Sequence, residues 1–311
     1  MKIKYLVSIV TILFTFNLSF SLISVEKPYC EFDNDLQFEV CSGQDKSGLI
    51  ALAAKFASNS YNLESGAYIT EQPLEINNNW VDIDLVKPKL EKLKNSHKNI
   101  KSFGQDSSGI IAYDEAKKTI IVAFHGTQDN KDIKTDLKFL MGSADEIGIK
   151  NPSYAHSGFI QRYLRDRIDM VKALVEIIKT EGLSAPLNII VTGHSLGGAL
   201  ATLAAFDIKR NLLKDSNIEL VTFNSPRVFN SHAAKEFEKL LGNNTYRLWR
   251  HYDPVSAVPT GRQGFKHVGK SLKLPAVSYL YPQENHSLKY TLEEINSNDT
   301  IQPSENHQGW F

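Results

Sequence analysis

The chain has 311 residues, of which 42% are hydrophobic and 23% are charged, an ordinary composition for a globular protein. Its 35 basic residues balance its 35 acidic residues, which excludes the strongly basic class of nucleic-acid-binding proteins and strong electrostatic docking on membranes. No linker, repeat or low-complexity run interrupts the sequence, so we expect one domain over residues 22–311.

The N-terminal residues are typical of a secretory signal. Lys2 and Lys4 precede the apolar run Tyr5–Phe16, and the small residue Ser21 stands at a suitable cleavage position. The run is too short for a comfortable membrane span, so we expect a signal peptide over residues 1–21 and a secreted, extracellular protein. An uncleaved signal anchor is the alternative.

Two cysteines, Cys30 and Cys41, follow this signal closely. In a secreted chain such a pair favours a disulfide over two free thiols, and the bond would close a short local loop. Neither cysteine has a Cys or His partner at the spacing of metal ligands, so we predict no metal site there. We also expect no cofactor.

Helical and strand patterns alternate along the chain. Residues 47–61 have helical periodicity, and the apolar runs 109–113 and 119–124 predict a β-hairpin across residues 114–118. The second run, TIIVAF, is apolar throughout, as in a strand that is buried on both faces.

A long amphipathic helix is expected over residues 158–180, with Gly182 at its end. The elements predicted after it are a strand over 187–192, a helix to about residue 209, a strand over 217–223, a helix over 232–241, a strand over 245–250, a strand or hairpin over 264–274 and a helix over 286–295. Repeated strand–helix–strand units predict an α/β fold with a mainly parallel central sheet and helices on both faces.

The strongest chemical signal is Gly193-His194-Ser195-Leu196-Gly197, where a buried strand turns into a helix. A serine on such a turn has strained backbone geometry and an exposed hydroxyl, and the flanking glycines let strand and helix approach closely. The pentapeptide alone is common by chance. Its strand–turn–helix context makes Ser195 the predicted nucleophile.

A serine hydroxyl needs a base that takes its proton and an acid that orients the base, in the chain order Ser, acid, His. His307 lies in a polar tail and His267 in an alternating strand, which leaves His286 as the base by elimination. Acids within helices are excluded, and Asp215 follows a helix at the wrong end of the sheet. Asp253 follows a strand, where ligand sites collect in open α/β sheets, and is the predicted acid.

An oxyanion hole needs two donors aimed at the developing negative charge. The first candidate is the backbone N–H of Leu196, the residue after the nucleophile. The second is Thr127, which ends the turn Phe124-His125-Gly126-Thr127 and offers a backbone N–H and a hydroxyl. A plain strand-ending turn is the alternative interpretation.

Together these motifs resemble the class 3 lipase family of filamentous fungi. The matching segments are FHGT (124–127), TDL (135–137), HSGF (156–159), VTGHSLGGAL (191–200), FNSPRV (223–228), DPVSAVP (253–259), FKHVG (265–269) and NHSLKY (285–290). They follow the family's order and spacing over most of the chain after the signal. The resemblance implies an α/β-hydrolase fold, a triad of Ser195, Asp253 and His286, and oxyanion donors at Thr127 and Leu196.

Two residue patterns depart from the family. His125 stands before the oxyanion glycine, where the fungal enzymes commonly have arginine. Residues 128–134, at the position of the fungal lid, are polar apart from Ile133, which predicts weak interfacial activation. A sharp activation would instead indicate a lid over residues 139–149.

The expected function is that of a secreted hydrolase of acylglycerol or phospholipid esters. We expect a monomer that contacts a lipid surface transiently and binds no nucleic acid. A soluble carboxylesterase of the feruloyl type is the alternative. A catalytically inactive binding protein on the same fold is disfavoured, because every expected catalytic residue is present.

Overall fold

The computed structural model describes residues 29–33, 38–42, 47–62, 74–76, 79–81, 98–104, 108–126 and 140–297. The chain divides into two compact units, residues 1–44 and 45–311. In the first unit, strands β1 (Tyr29–Asp33) and β2 (Phe38–Ser42) pair antiparallel, and their register sets Cys30 opposite Cys41. The signal peptide lies outside the described residues. The disulfide and the single domain over 22–311 stay predictions.

The second unit contains the remaining helices and strands. Its helices are α1 (Ser47–Asn62), α2 (Ser157–Thr180), α3 (Leu196–Asp207), α4 (Ser231–Leu241), α5 (Pro282–Asn285) and α6 (Leu288–Ser297). Its strands are β3 (Leu74–Ile76), β4 (Asn79–Val81), β5 (Lys98–Phe103), β6 (Gly109–Asp114), β7 (Thr119–Phe124), β8 (Met141–Gly142), β9 (Ala155–His156), β10 (Asn188–His194), β11 (Asn217–Phe223), β12 (Phe229–Asn230), β13 (Thr245–Arg250), β14 (Phe265–Lys266) and β15 (Lys270–Leu274).

A seven-stranded sheet lies at the centre of this unit, in the order β15-β13-β11-β10-β7-β6-β5. The five strands from β15 to β7 run parallel, and β6 and β5 complete the sheet as antiparallel neighbours. Two-residue strands form a smaller sheet in the order β14-β12-β9-β8, and β3 pairs with β4. The predicted mainly parallel sheet and the hairpin of β6 and β7 are confirmed.

Alternate side chains of the central strands point to opposite faces of the sheet, and both faces are covered. Ile189 and Val191 of β10 belong to a core that includes buried side chains of α2, α3 and α4. Ile190, between them, belongs to a second core with α1 and α6. Helix α3 is buried along nearly its whole length, which agrees with its run of alanines and leucines. Helices therefore cover both faces, as predicted.

The helix over 158–180 is confirmed as α2, but two of its apolar side chains are solvent-exposed. Ile168 is 61% exposed and Val175 is 41% exposed, although the periodicity placed both on the apolar face. Ile160, Tyr163 and Leu174 are buried, whereas Leu164, Val171 and Ile178 are partly buried against the same core. No helix in the described ranges is long and apolar enough to cross a membrane.

Two predicted elements differ from the structure. The strand or hairpin expected over 264–274 is two strands in different sheets, because Gly269 adopts φ 77° and turns the chain between them. The helix expected over 286–295 begins two residues later, as α6 at Leu288, and the short helix α5 ends just before it at Asn285. His286 therefore lies in the break between two helices.

Candidate active site

Ser195 occupies the turn between β10 and α3 with φ 57° and ψ −129°, a strained conformation for a residue other than glycine. Close packing explains the two flanking glycines. A Cβ at Gly193 would lie 2.2 Å from the carbonyl oxygen of Gly197, and a Cβ at Gly197 would lie 2.3 Å from the carbonyl oxygen of Phe124. Strand and helix can hold the serine in this position only without those side chains.

Gly193→Ala should therefore destabilise the protein by about 1–3 kcal/mol, because the new Cβ meets backbone that cannot move aside cheaply. Urea unfolding measures the loss. The control is Gly261→Ala, where a Cβ would meet nothing within 4 Å. Equal stability of the two variants would show that the close approach at the turn is not a constraint.

Three predicted residues meet at the carboxyl edge of the sheet. Ser195 Oγ lies 2.9 Å from His286 Nε2, and His286 Nδ1 lies 3.0 Å from Asp253 Oδ1. An ionised carboxylate only accepts hydrogen bonds, so Nδ1 carries the imidazole proton and Nε2 accepts from the serine hydroxyl. This arrangement prepares His286 to take the hydroxyl proton.

Asp253 is buried just beyond the end of β13. The backbone N–H of Val255 donates to Asp253 Oδ1 at 2.9 Å, and the Ser256 hydroxyl donates to the Asp253 carbonyl oxygen at 3.2 Å. These bonds hold the carboxylate against the imidazole. Its second oxygen, Oδ2, is buried without a hydrogen-bond partner among the described residues.

His194, which precedes the nucleophile, stabilises the loop that contains His286 by a hydrogen bond. His194 Nε2 lies 2.7 Å from the carbonyl oxygen of His286, which can only accept, so Nε2 carries the proton. His194 Nδ1 then accepts from the hydroxyl of Tyr61 in α1, at 2.8 Å. Burial, together with the charge of His286, lowers the pKa of His194 to about 3, so this imidazole is neutral in the native protein.

Asn224 supports the same loop from the end of β11. Its backbone has φ 49°, and its Nδ2 donates to the carbonyl oxygens of Asn285 and His286 at 3.1 and 3.2 Å. Its Oδ1 accepts from the backbone N–H of Arg250 at 3.2 Å. Sequence reasoning assigned no role to Asn224 or His194. The sequence feature that could have identified these two residues is their position at the ends of two neighbouring parallel strands.

The remaining residues considered for the site are the two oxyanion candidates and the two histidines that were rejected as the base. Leu196 is the first residue of α3, where its N–H has no carbonyl within the helix to bond and the helix dipole favours negative charge. Thr127 and His307 lie outside the described residues. His267 bonds the Ser256 carbonyl oxygen at 2.9 Å, and burial, with the charges of two nearby arginines, holds its pKa well below the usual range.

Within the described ranges, no group of three or more His, Cys, Asp or Glu side chains is placed to hold a metal ion.

The chain is similar to lipases of known sequence and structure. Residues 121–263 match the family model described as Lipase (class 3). "Secreted mono- and diacylglycerol lipase A" of Penicillium cyclopium is 31% identical over 163 residues, which are 52% of this chain and 50% of that protein. "Phospholipase A(1) DAD1, chloroplastic" of Arabidopsis thaliana is 29% identical over 154 residues, which are 46% of this chain and 34% of that protein. The chain thus spans half or less of the length of these curated relatives.

The fold is similar to that of a lipase from Rhizopus microsporus var. chinensis. Its crystal structure matches with a TM-score of 0.60 and 24% identity, over 75% of this chain and 76% of that one. At this identity the likeness shows the fold alone, which is the α/β-hydrolase fold. The match over residues 121–263, just under half of the chain, makes this segment similar to the class 3 lipase family.

Proposed function

We propose that the protein hydrolyses carboxylic esters of lipids, acylglycerol or phospholipid esters, with Ser195 as the nucleophile. One observation carries the proposal: an unbroken hydrogen-bonded chain leads from the Ser195 hydroxyl through His286 to buried Asp253. A nucleophile, a base and an orienting acid in this geometry suit acyl transfer.

In the first half of the reaction, Ser195 Oγ attacks the ester carbonyl carbon while His286 Nε2 takes the hydroxyl proton. Asp253 holds the imidazole by its Nδ1–H and stabilises the imidazolium that forms. The tetrahedral intermediate collapses when His286 returns the proton to the leaving alcohol. The acyl group then remains on Ser195.

In the second half, water attacks the acyl carbon while His286 Nε2 takes a proton from it, and His286 returns that proton to Ser195 Oγ as the fatty acid leaves. The negative charge on the carbonyl oxygen needs donors in both halves. The Leu196 N–H at the start of α3 is one proposed donor, supported by its position in the first helical turn. Thr127 is the other proposed donor, on the resemblance of its segment to the family motif.

The substrate class rests on the relatives. The Penicillium protein is named as a mono- and diacylglycerol lipase and the Arabidopsis protein as a phospholipase A(1), so lipid esters are the chemistry that they share. The Penicillium protein is also named as secreted, which supports secretion of this chain. A monomeric enzyme without cofactor is part of the proposal.

Hydrolysis rates over mono-, di- and triacylglycerols, phosphatidylcholine, p-nitrophenyl esters of varied length and a feruloyl ester test the proposal. We expect kcat/KM to be higher for the lipid esters than for the feruloyl ester, and Ser195→Ala to abolish all the activities together. A preference for the feruloyl ester would establish the soluble carboxylesterase instead. Absence of hydrolysis from every ester would contradict both.

A further inference from the structure

A group of exposed apolar side chains lies beside the candidate triad. Most of it belongs to the loop Val277–Tyr281, here called the tyrosine loop. In this loop the side chain of Leu280 is 83% exposed and that of Tyr279 is 76% exposed. Tyr252, which precedes Asp253, is exposed as well, and its ring lies 5.3 Å from the ring of Tyr279 in an edge-to-face arrangement. Tyr252, which precedes Asp253, and the tyrosine loop, which precedes His286, therefore form one exposed apolar surface.

The tyrosine loop is fixed to the site by one buried side chain. Asn285 Oδ1 accepts from the backbone N–H groups of Val277 and Ser278 at 2.7 and 3.2 Å, and its Nδ2 donates to the Ser278 carbonyl oxygen at 2.5 Å. The backbone N–H of Tyr281 donates to the Ser278 hydroxyl at 3.0 Å. Because Asn285 directly precedes His286, the apolar tip is anchored to the residue beside the base.

The composition of the loop indicates what it contacts. Val277-Ser278-Tyr279-Leu280-Tyr281 has no charged side chain that would select a charged partner. Exposed apolar patches mark interaction sites, and tyrosine suits a boundary between water and lipid because its ring is apolar and its hydroxyl is polar. The proposed substrate forms such a boundary, and the patch lies next to the proposed catalytic residues.

We propose that the tyrosine loop and Tyr252 dock the enzyme on the surface of aggregated lipid, an inference that rests on the proposed function. Docking by a loop that is already exposed and anchored needs no apolar lid. It therefore fits the polar composition of residues 128–134, the segment at the position of the fungal lid. The loop binds the lipid surface without a prior conformational change of the enzyme.

Vesicle binding tests the docking surface. In a Ser195→Ala background, which removes hydrolysis, we compare Tyr279→Gln/Leu280→Gln with Ile168→Gln/Val175→Gln, a pair from the exposed side of α2. The probe is vesicles of phosphatidylcholine containing diacylglycerol. The loop pair should weaken binding by about tenfold or more, since two apolar side chains no longer leave water, and the α2 pair by less than about twofold.

The outcomes separate the docking surface from the proposed function. If the unmodified enzyme hydrolyses dissolved p-nitrophenyl butyrate but the loop pair binds vesicles as tightly as the α2 pair, the docking surface is wrong and the function stands. If the unmodified enzyme hydrolyses no ester, the proposed function fails whatever the loop does. Light scattering without vesicles should give the same mass for all variants. A dimer that only the loop pair dissociates would assign the patch to a second copy of the chain and overturn lipid docking.

Discussion

Ser195→Ala is expected to lower kcat for ester hydrolysis by about a million-fold, with KM nearly unchanged, if this triad behaves as the triads of serine proteases do. The substitution removes the nucleophile and leaves the substrate site. His286→Ala should cost about as much, because the serine is a poor nucleophile without its base, 2.9 Å away. Steady-state kinetics on p-nitrophenyl butyrate measure both losses.

Two histidine variants control this result. His232→Ala alters an exposed side chain on α4 and should leave kcat unchanged. His267→Ala tests the competing base, and it should keep most of the activity while losing stability, because His267 is bonded within the fold. Loss of turnover in folded His267→Ala, with turnover retained in His286→Ala, would contradict the assignment of the base.

Asp253→Asn is expected to lower kcat by about ten-thousand-fold without disturbing the fold. An amide carries no charge to stabilise the imidazolium, and where its NH₂ faces His286 Nδ1 it moves the imidazole proton to Nε2. That nitrogen would then face the Ser195 hydroxyl as a donor, and it could not take the proton. The loss should be found in kcat for every ester tested, since it concerns proton transfer and not substrate binding.

Asp215→Asn is the matched control, because Asp215 is the exposed acid that follows a helix at the other end of the sheet. It should leave kcat within about twofold of the unmodified enzyme, as expected of a surface change away from the site. If the two variants lost equal activity, or if neither lost any, Asp253 would not be the acid that orients His286.

The nucleophile turn was predictable from sequence because its chemistry is local. Strand, turn and helix are consecutive in the chain. The two glycines are present because the strand and helix backbones approach too closely to leave room for a side chain. The parallel order of the sheet was predictable for a similar reason, since alternating strands and helices allow few connections. The predicted strands over 217–223 and 245–250 agree with β11 and β13 at both ends.

The support of His286 was not predictable from sequence, because it joins segments that are distant in the chain. His194 and Asn224 bond the His286 loop from two strand ends, and Tyr61 bonds His194 from helix α1. No local pattern distinguishes such residues from ordinary polar residues at the ends of strands. The last helix was predicted to begin at His286, whereas α6 begins at Leu288, and the short helix α5 over 282–285 was not predicted.

Covalent labelling with an organophosphonate p-nitrophenyl ester tests the central claim most directly. Ser195 Oγ should attack phosphorus, release p-nitrophenolate and pass its proton to His286 Nε2. Peptide mass spectrometry should find the phosphonyl group on Ser195 and nowhere else, with labelling abolished in His286→Ala and inactivation proportional to the label. A phosphonyl group on another residue, or full ester hydrolysis by an enzyme that takes up no label, would contradict the assignment of Ser195 as the nucleophile.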